Sequence, residues 1–198
     1  MINSSGIPAV VPAGRLAAGA QPVLPLPGGL ELRPWRLDDA DADALHTAGQ
    51  DPAISHWNLF SVAGRDEARA RIERLHARRR AETGVIWAVA PIGGAALGLA
   101  GLGDVDLAGG TAEVVYWVLP EARGGGIAVA ATRRLSRWAL DDLGLHRLAL
   151  CHSTANPASC RVAEKAGFTA EGTRRGALLH ADGWHDLHVH ARVAGDPE

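Results

Sequence analysis

The stretch Arg123-Gly124-Gly125-Gly126-Ile127-Ala128 carries the residue types and spacing that bear most directly on chemistry in this 198-residue chain. An apolar run of strand character over residues 114–119 precedes it, and an amphipathic helical run over residues 127–143 follows. Glycines let a backbone turn with its amides pointing inward, and the start of a helix offers unpaired N–H groups and a positive dipole end. That order predicts an anion site for a phosphate. No Lys-Ser/Thr pair follows the glycines, as a Walker loop requires. Nor does a G-x-G-x-x-G follow a first strand with an acidic residue about 20 positions on. The pyrophosphate of coenzyme A is the better fit; the alternative is a glycine-rich turn joining strand to helix.

The elements around this loop follow from periodicity. Residues 1–28 are rich in Ala, Gly and Pro, and Pro8, Pro12, Pro22, Pro25 and Pro27 break any regular period, so they are expected to form a flexible leader. Leu30-Glu31-Leu32-Arg33 alternates as a strand does, and Leu37-Asp38-Asp39-Ala40-Asp41 opens a capped helix to about Ala48. Ala68, Ile72 and Leu75 recur at helical spacing within a second helix over 65–80, whose arginines are expected to be solvated. Residues 85–90, 95–102 and 112–119 are apolar runs of strand length that predict an antiparallel meander. After the glycine-loop helix, ended by Gly144, come a strand over 146–152, a helix over 157–165 closed by Gly167, and two closing strands. The last shows strict alternation of Leu187, Val189, Ala191 and Val193 with His188, His190 and Arg192. This order predicts an α+β fold, a sheet with helices on both faces, over residues 29–194.

Composition bounds the function. A hydrophobic content of 47% in 198 residues suits one domain with a sizeable core. A net charge of −2 gives no global field for nucleic acid or an anionic membrane, so neither is expected as a partner. Cys151 and Cys160 form no C-x-x-C pair, no run has the length of a membrane span, and no signal-peptide pattern opens the chain. A reduced, cytoplasmic setting is expected.

Four stretches taken together resemble the GCN5-related N-acetyltransferase (GNAT) superfamily, and within it the RimJ/RimL branch of ribosomal-protein alanine N-acetyltransferases. They are Leu32-Arg33-Pro34-Trp35 with Asp51-Pro52-Ala53-Ile54; Ala112-Glu113-Val114-Val115-Tyr116-Trp117-Val118; Arg123 to Ala128, which matches R-x-x-G-x-A; and Asn156-Pro157-Ala158-Ser159-Cys160-Arg161-Val162-Ala163-Glu164-Lys165-Ala166-Gly167-Phe168. The resemblance implies a GNAT fold with a mixed, mostly antiparallel twisted sheet. It also implies a splayed strand pair, residues 112–119 and 146–152, with acetyl-CoA in the gap continuing the strand pairing. An N–H near Val118 or Leu119 would polarise the thioester carbonyl. Arg123 and the amides of Gly124, Gly125, Gly126, Ile127 and Ala128 would hold the pyrophosphate, and Asn156, itself an N-cap before Pro157, would bond the coenzyme arm.

The implied activity is direct transfer of acetyl to a primary amine, with a protein or peptide N-terminus favoured as acceptor. A small-molecule amine, such as an antibiotic or polyamine, is the alternative, and a catalytically silent acyl-CoA binding module is a further one. An alkyl amine titrates near ~10.4 and needs a base. Glu113 is the first choice and His152 the second. Many superfamily members carry a proton-donating tyrosine where this chain has Ala163, and in the RimJ/RimL branch a serine at the position of Ser159 takes that place. Ser159 could equally bond the backbone of Asn156. Trp57 and Trp184 are expected to line the acceptor cleft, and a face beside Trp184 would serve acceptor binding or a homodimer. No metal is expected. His180, His185, His188 and His190 crowd the last hairpin, but only Asp182 or Asp186 is spaced in sequence to complete a ligand set. Cys151 is not needed as a nucleophile.

Overall fold

The computed structural model describes residues 6–197. Its strands are β1 (Leu24–Leu26), β2 (Leu30–Pro34), β3 (Val85–Pro91), β4 (Gly98–Asp106), β5 (Thr111–Val118), β6 (Arg147–Ser153), β7 (Thr169–His180) and β8 (Gly183–Val193). The α-helices are α1 (Asp39–Gln50), α2 (Pro52–Asn58), α3 (Arg65–Arg80), α4 (Ile127–Arg137) and α5 (Pro157–Lys165). One sheet runs in the order β1-β2-β3-β4-β5-β6-β8-β7. Every neighbouring pair in it is antiparallel except β5 and β6, which are parallel.

Strand β3 explains why both faces are covered. Its sequence Val85-Ile86-Trp87-Ala88-Val89-Ala90 is apolar throughout, as in a strand buried on two sides. Val85, Trp87 and Val89 join the core beneath α4 and α5, with Leu135, Leu148 and Ala163. Ile86 and Ala88 point the other way, into a second core with Leu45 of α1, Ile54 of α2 and Ile72 of α3. The period of two along the strand thus sorts side chains between two helical layers.

The expected meander, the helix over 65–80 and the helix over 157–165 are present. Helix α2 was not foreseen. Asp51 caps it, accepting from the Ile54 N–H at 2.8 Å, with Pro52 in the first turn, so an Asp-Pro pair was its signal. The run expected over 127–143 changes character along its length: α4 stops at Arg137, and residues Trp138–Leu143 form a π-helical segment ended by Gly144 at φ 91°.

The flexible-leader reading is corrected for the described residues 6–28; residues 1–5 of that leader lie outside the described residues. Val11, Leu16, Leu24 and Leu26 enter the α4/α5-side core, and β1 extends the sheet upstream of the expected boundary at residue 29. The carboxylate of Glu82 accepts the N–H groups of Gly14 at 2.6 Å, Leu16 at 2.8 Å and Ala17 at 3.0 Å. Arg79 donates to the carbonyls of Ala18 and Gly19, each at 3.0 Å, so this arginine anchors chain rather than facing bulk water. An averaged Ala/Gly/Pro composition hid a few apolar side chains, each contributing about 1.5–3 kcal/mol on full burial. No described helix is long and apolar enough to cross a membrane.

On the α1 side, Arg33 and Asp41 form a buried bidentate pair at 2.6 and 2.7 Å, only 3% and 0% exposed. Asp41 also accepts the N–H groups of Arg36 and Ala96, while Arg33 donates to the Gly94 carbonyl. Three segments, the end of β2, the start of α1 and the β3–β4 turn, are fastened at this point.

Candidate active site

The parallel pair opens as it runs. Cα partners extend only over Thr111↔Arg147, Ala112↔Leu148 and Glu113↔Ala149, and beyond these β5 and β6 part. A cleft of about 650 Å³ occupies the gap, a volume suited to an organic cofactor. Its lining includes Glu113, Tyr116, Val118, Gly124, Gly126, Ile127, Ala128, His152, Asn156 and Ser159.

Of the two backbone amides expected near the reacting carbonyl, one is engaged elsewhere. Leu119 N–H donates to Leu97 O at 2.8 Å, just ahead of β4. In an antiparallel ladder successive residues turn their amides to opposite edges, so Val118 N–H faces the gap. The Val118 carbonyl accepts from Arg123 Nε at 3.0 Å, and Arg123 also pairs with Asp51 at 2.9 Å. Arg123 therefore fixes the end of β5 against the cap of α2 and sets where the glycine loop begins.

Gly124 and Gly126 take φ values of 87° and 76°, in the left-handed region where a side chain is strained. A Cβ at either would meet nothing within 4 Å, so these glycines serve conformation rather than clearance. Gly126 caps α4 with no side-chain hydrogen bond, and the first helical bond runs from Ala130 N–H to Gly126 O at 3.0 Å. The amides of Ile127, Ala128 and Val129 therefore have no i−4 carbonyl within the helix. Arg161 and Lys165 of α5 line the same cleft. Neither was singled out from sequence, although their spacing with Ala158 and Val162 puts all four on one helical face.

Asn156 is the expected N-cap, its Oδ1 accepting from Ser159 N–H at 3.1 Å. The Ser159 hydroxyl does not turn back onto that backbone. It lies 2.6 Å from the Tyr116 hydroxyl, across the gap on β5. Burial pushes the Tyr116 phenol up to about 12, so it stays a neutral hydrogen-bond donor. Nothing at residue 163 points to this tyrosine, because it comes from a strand distant in the chain.

Glu113 is half-buried on the α1/α2/α3 side of β5. Burial raises its carboxyl above the usual range; the Asp104 carboxylate adds to the rise, while Arg174 and a hydrogen bond with Cys151 oppose it. Cys151 is pushed up to about 11 by burial and by Glu113, so it remains a thiol near neutral pH. His152 lies on the opposite face of the sheet. It is buried, its Nδ1 is 2.9 Å from the Ser153 carbonyl, and its ring stacks on His190 at 5.1 Å. The structure thus does not bring the two base candidates together.

The acceptor residues separate as well. Trp57 of α2 lines the cleft near His180, with ring centroids 5.7 Å apart. Trp184 does not line it: the side chain is 68% exposed on the β7–β8 hairpin, beside its cross-strand partner Leu179. The pleat turns Trp184 and Leu179 outward while Leu178 and His180 form the cleft wall.

An open, mostly antiparallel sheet with one splayed parallel pair, and a glycine loop feeding a helix at the mouth of the gap, define a fold of the GNAT type. Residues 29–169 match the acetyltransferase (GNAT) domain model, and the chain belongs to that family. Among curated relatives, the putative ribosomal N-acetyltransferase YdaF of Bacillus subtilis (strain 168) is 37% identical over 94 residues, which is 48% of this chain and 51% of that protein. The chain thus matches about half the length of that relative. A solved probable acetyltransferase superposes with a TM-score of 0.79 at 25% identity, covering 88% of this chain and 98% of the other. The RimL ribosomal-protein acetyltransferase in complex with coenzyme A gives 0.78 at 18% identity, covering 89% and 100%, a likeness of fold.

Proposed function

We propose that the protein is an acetyl-CoA-dependent N-acetyltransferase acting directly on a primary amine, with a protein or peptide N-terminus as acceptor. The observation that carries this reading is the unpaired run of β5 and β6 beyond Glu113 and Ala149, which leaves backbone donors facing a cleft. The pantetheine arm would lie along that edge, with its pyrophosphate on the amides of residues 124–128 and on Arg161 and Lys165. Asn156 would bond the coenzyme arm. The name of the Bacillus relative supports a ribosomal-protein acceptor.

In the reaction, the acceptor nitrogen attacks the thioester carbonyl carbon and the carbonyl π pair moves to oxygen, where Val118 N–H stabilises it. Glu113 takes the proton from nitrogen, directly or through water. Collapse re-forms the carbonyl and breaks the C–S bond, and the thiolate takes a hydrogen bond from the Tyr116–Ser159 hydroxyl pair and a proton relayed through it, which water replaces so that both hydroxyls end neutral. This pair fills the role left open by Ala163.

Ser159→Ala and Tyr116→Phe are each expected to lower kcat about 10²-fold, at the low end of general acid effects, with little change in KM for acetyl-CoA. The double variant should be hardly worse than the poorer single one, because the two hydroxyls act as a unit. Loss of thermal stability with kcat intact would instead mark the pair as a packing contact between α5 and β5.

Thiol release from acetyl-CoA tests the acceptor. Peptides with Ala, Ser or Met N-termini should support turnover, while polyamines and aminoglycosides should not. Turnover with small amines alone would replace the peptide reading, and coenzyme binding without turnover on any amine would replace the enzyme reading by a binding module.

A further inference from the structure

Beneath α5, on the α4/α5 side of the sheet, three histidines and a cysteine meet. His152 of β6 and His188 of β8 are cross-strand partners, so their side chains share a face, and His190 follows two residues along. Helix α5 covers that face and brings Cys160, with its thiol donating to Glu164 Oε1 at 3.6 Å. One ligand atom each from His152, Cys160 and His188 lie within 4.8 Å of one another.

His152 is prepared for a ligand. Its Nδ1 sits 2.9 Å from the Ser153 carbonyl, which can only accept, so Nδ1 bears the hydrogen and Nε2 the lone pair. That Nε2 is buried with no hydrogen-bond partner, in a side chain 7% exposed. A backbone carbonyl fixing one imidazole nitrogen while the other points its lone pair at a site is how metal-ligating histidines are held. The stacked His190 ring, 5.1 Å away at 23°, further restricts rotation.

We propose that His152 Nε2, a ring nitrogen of His188 and Cys160 Sγ form a binding site for a soft divalent cation, Zn2+ foremost. Thiolate with imidazole selects Zn2+ or Co2+ over Mg2+ and Ca2+. On binding, the cation displaces the Cys160 thiol proton, which leaves to Glu164 or water, with no change in oxidation state. A fourth position is left for water or the adjacent Glu164 carboxylate. The bound ion would pin α5, and with it Asn156 and Ser159, to β6 and β8. Sequence spacing offered only Asp182 and Asp186 as partners for the hairpin histidines; the fold supplies Cys160, which lies far upstream of His188 in the chain.

The test uses the full chain, stripped with chelator and titrated with Co2+ and then Zn2+. The expected result is one Co2+ per chain with a thiolate-to-cobalt charge-transfer band in the near ultraviolet, displaced by Zn2+. Cys160→Ser should abolish the band, and His188→Ala should weaken Co2+ binding at least about tenfold, with circular dichroism showing both variants folded. Absence of a thiolate band in the unaltered protein overturns the proposal. So does a band that survives Cys160→Ser, which would place the ion on Cys151, or an affinity unmoved by His188→Ala. The other three-residue group, His56, Asp182 and His185, contains no sulfur and cannot give that band.

Discussion

Glu113→Gln is expected to lower kcat by about 10²–10⁴-fold while leaving acetyl-CoA binding nearly unchanged. The carboxylate stands on β5 just where β5 and β6 separate, on the face that carries Trp57 and His180, and the amide keeps its shape but cannot take a proton. A base acts only when ionised, and burial raises the Glu113 carboxyl. The acidic limb of kcat/KM should therefore lie above the range of an ordinary glutamate and disappear in the variant. Stability moves the other way. A carboxyl raised in the folded state binds more protons there than in the unfolded chain, so its contribution to stability is lost as pH rises through the folded value. Glu113→Gln should thus be neutral or mildly stabilising at neutral pH, which separates loss of chemistry from loss of fold in a thermal melt. A variant retaining more than about a tenth of the parent kcat would remove Glu113 from the base role.

Asp41→Asn should be the most damaging single change to the fold outside the apolar core, costing about 3–5 kcal/mol. It strands the Arg33 guanidinium, 3% exposed, without its counter-charge. Breaking one side of a buried ion pair costs more than the pair is worth, because the remaining charge cannot reach water. The total stability of a domain is about 5–15 kcal/mol, so a fall in Tm on the order of 10 °C is expected. Burial alone would raise the Asp41 carboxyl, but the hydrogen bonds and charge of Arg33, with the N–H groups of Arg36 and Ala96, outweigh it and the net shift is downward. This stabilisation is present above the ordinary aspartate range and is lost as pH falls through the depressed folded value. Chemical denaturation from pH 7 downward should show the parent losing its advantage over Asp41→Asn in that acid window. A difference of under about 1 kcal/mol at pH 7 would reduce the pair to the worth of a surface contact.

Local rules made much of the chain legible. The apolar run of β3, the alternation of β8, the helical spacing of α3, the Asn156-Pro157 start of α5 and the glycine stops at residues 144 and 167 all depend on near neighbours, and each element appears where those patterns place it. The glycine loop likewise announced itself, since its conformation follows from residues adjacent in the chain. Composition failed where it averaged: a segment rich in Ala, Gly and Pro holds Val11, Leu16 and Leu24 at spacings that only a waiting core makes meaningful.

By itself, then, the sequence determined most of the strands and helices, though not β1, α2 or the π-helical end of the run after α4, that a helix start bearing glycines stands ready for an anion, and which family the chain resembles. Only the tertiary structure decided which side chains meet. Tyr116 reaches Ser159 across 43 residues because a gap in the sheet faces α5. Glu113 and His152 fall on opposite faces because one residue of register reverses a side chain's direction, and Trp184 turns outward for the same reason. Cys160 comes to His152 and His188 because α5 packs over the sheet face that the two histidines share. Such pairings are fixed by strand register and helix docking, long-range quantities that no local window of sequence contains.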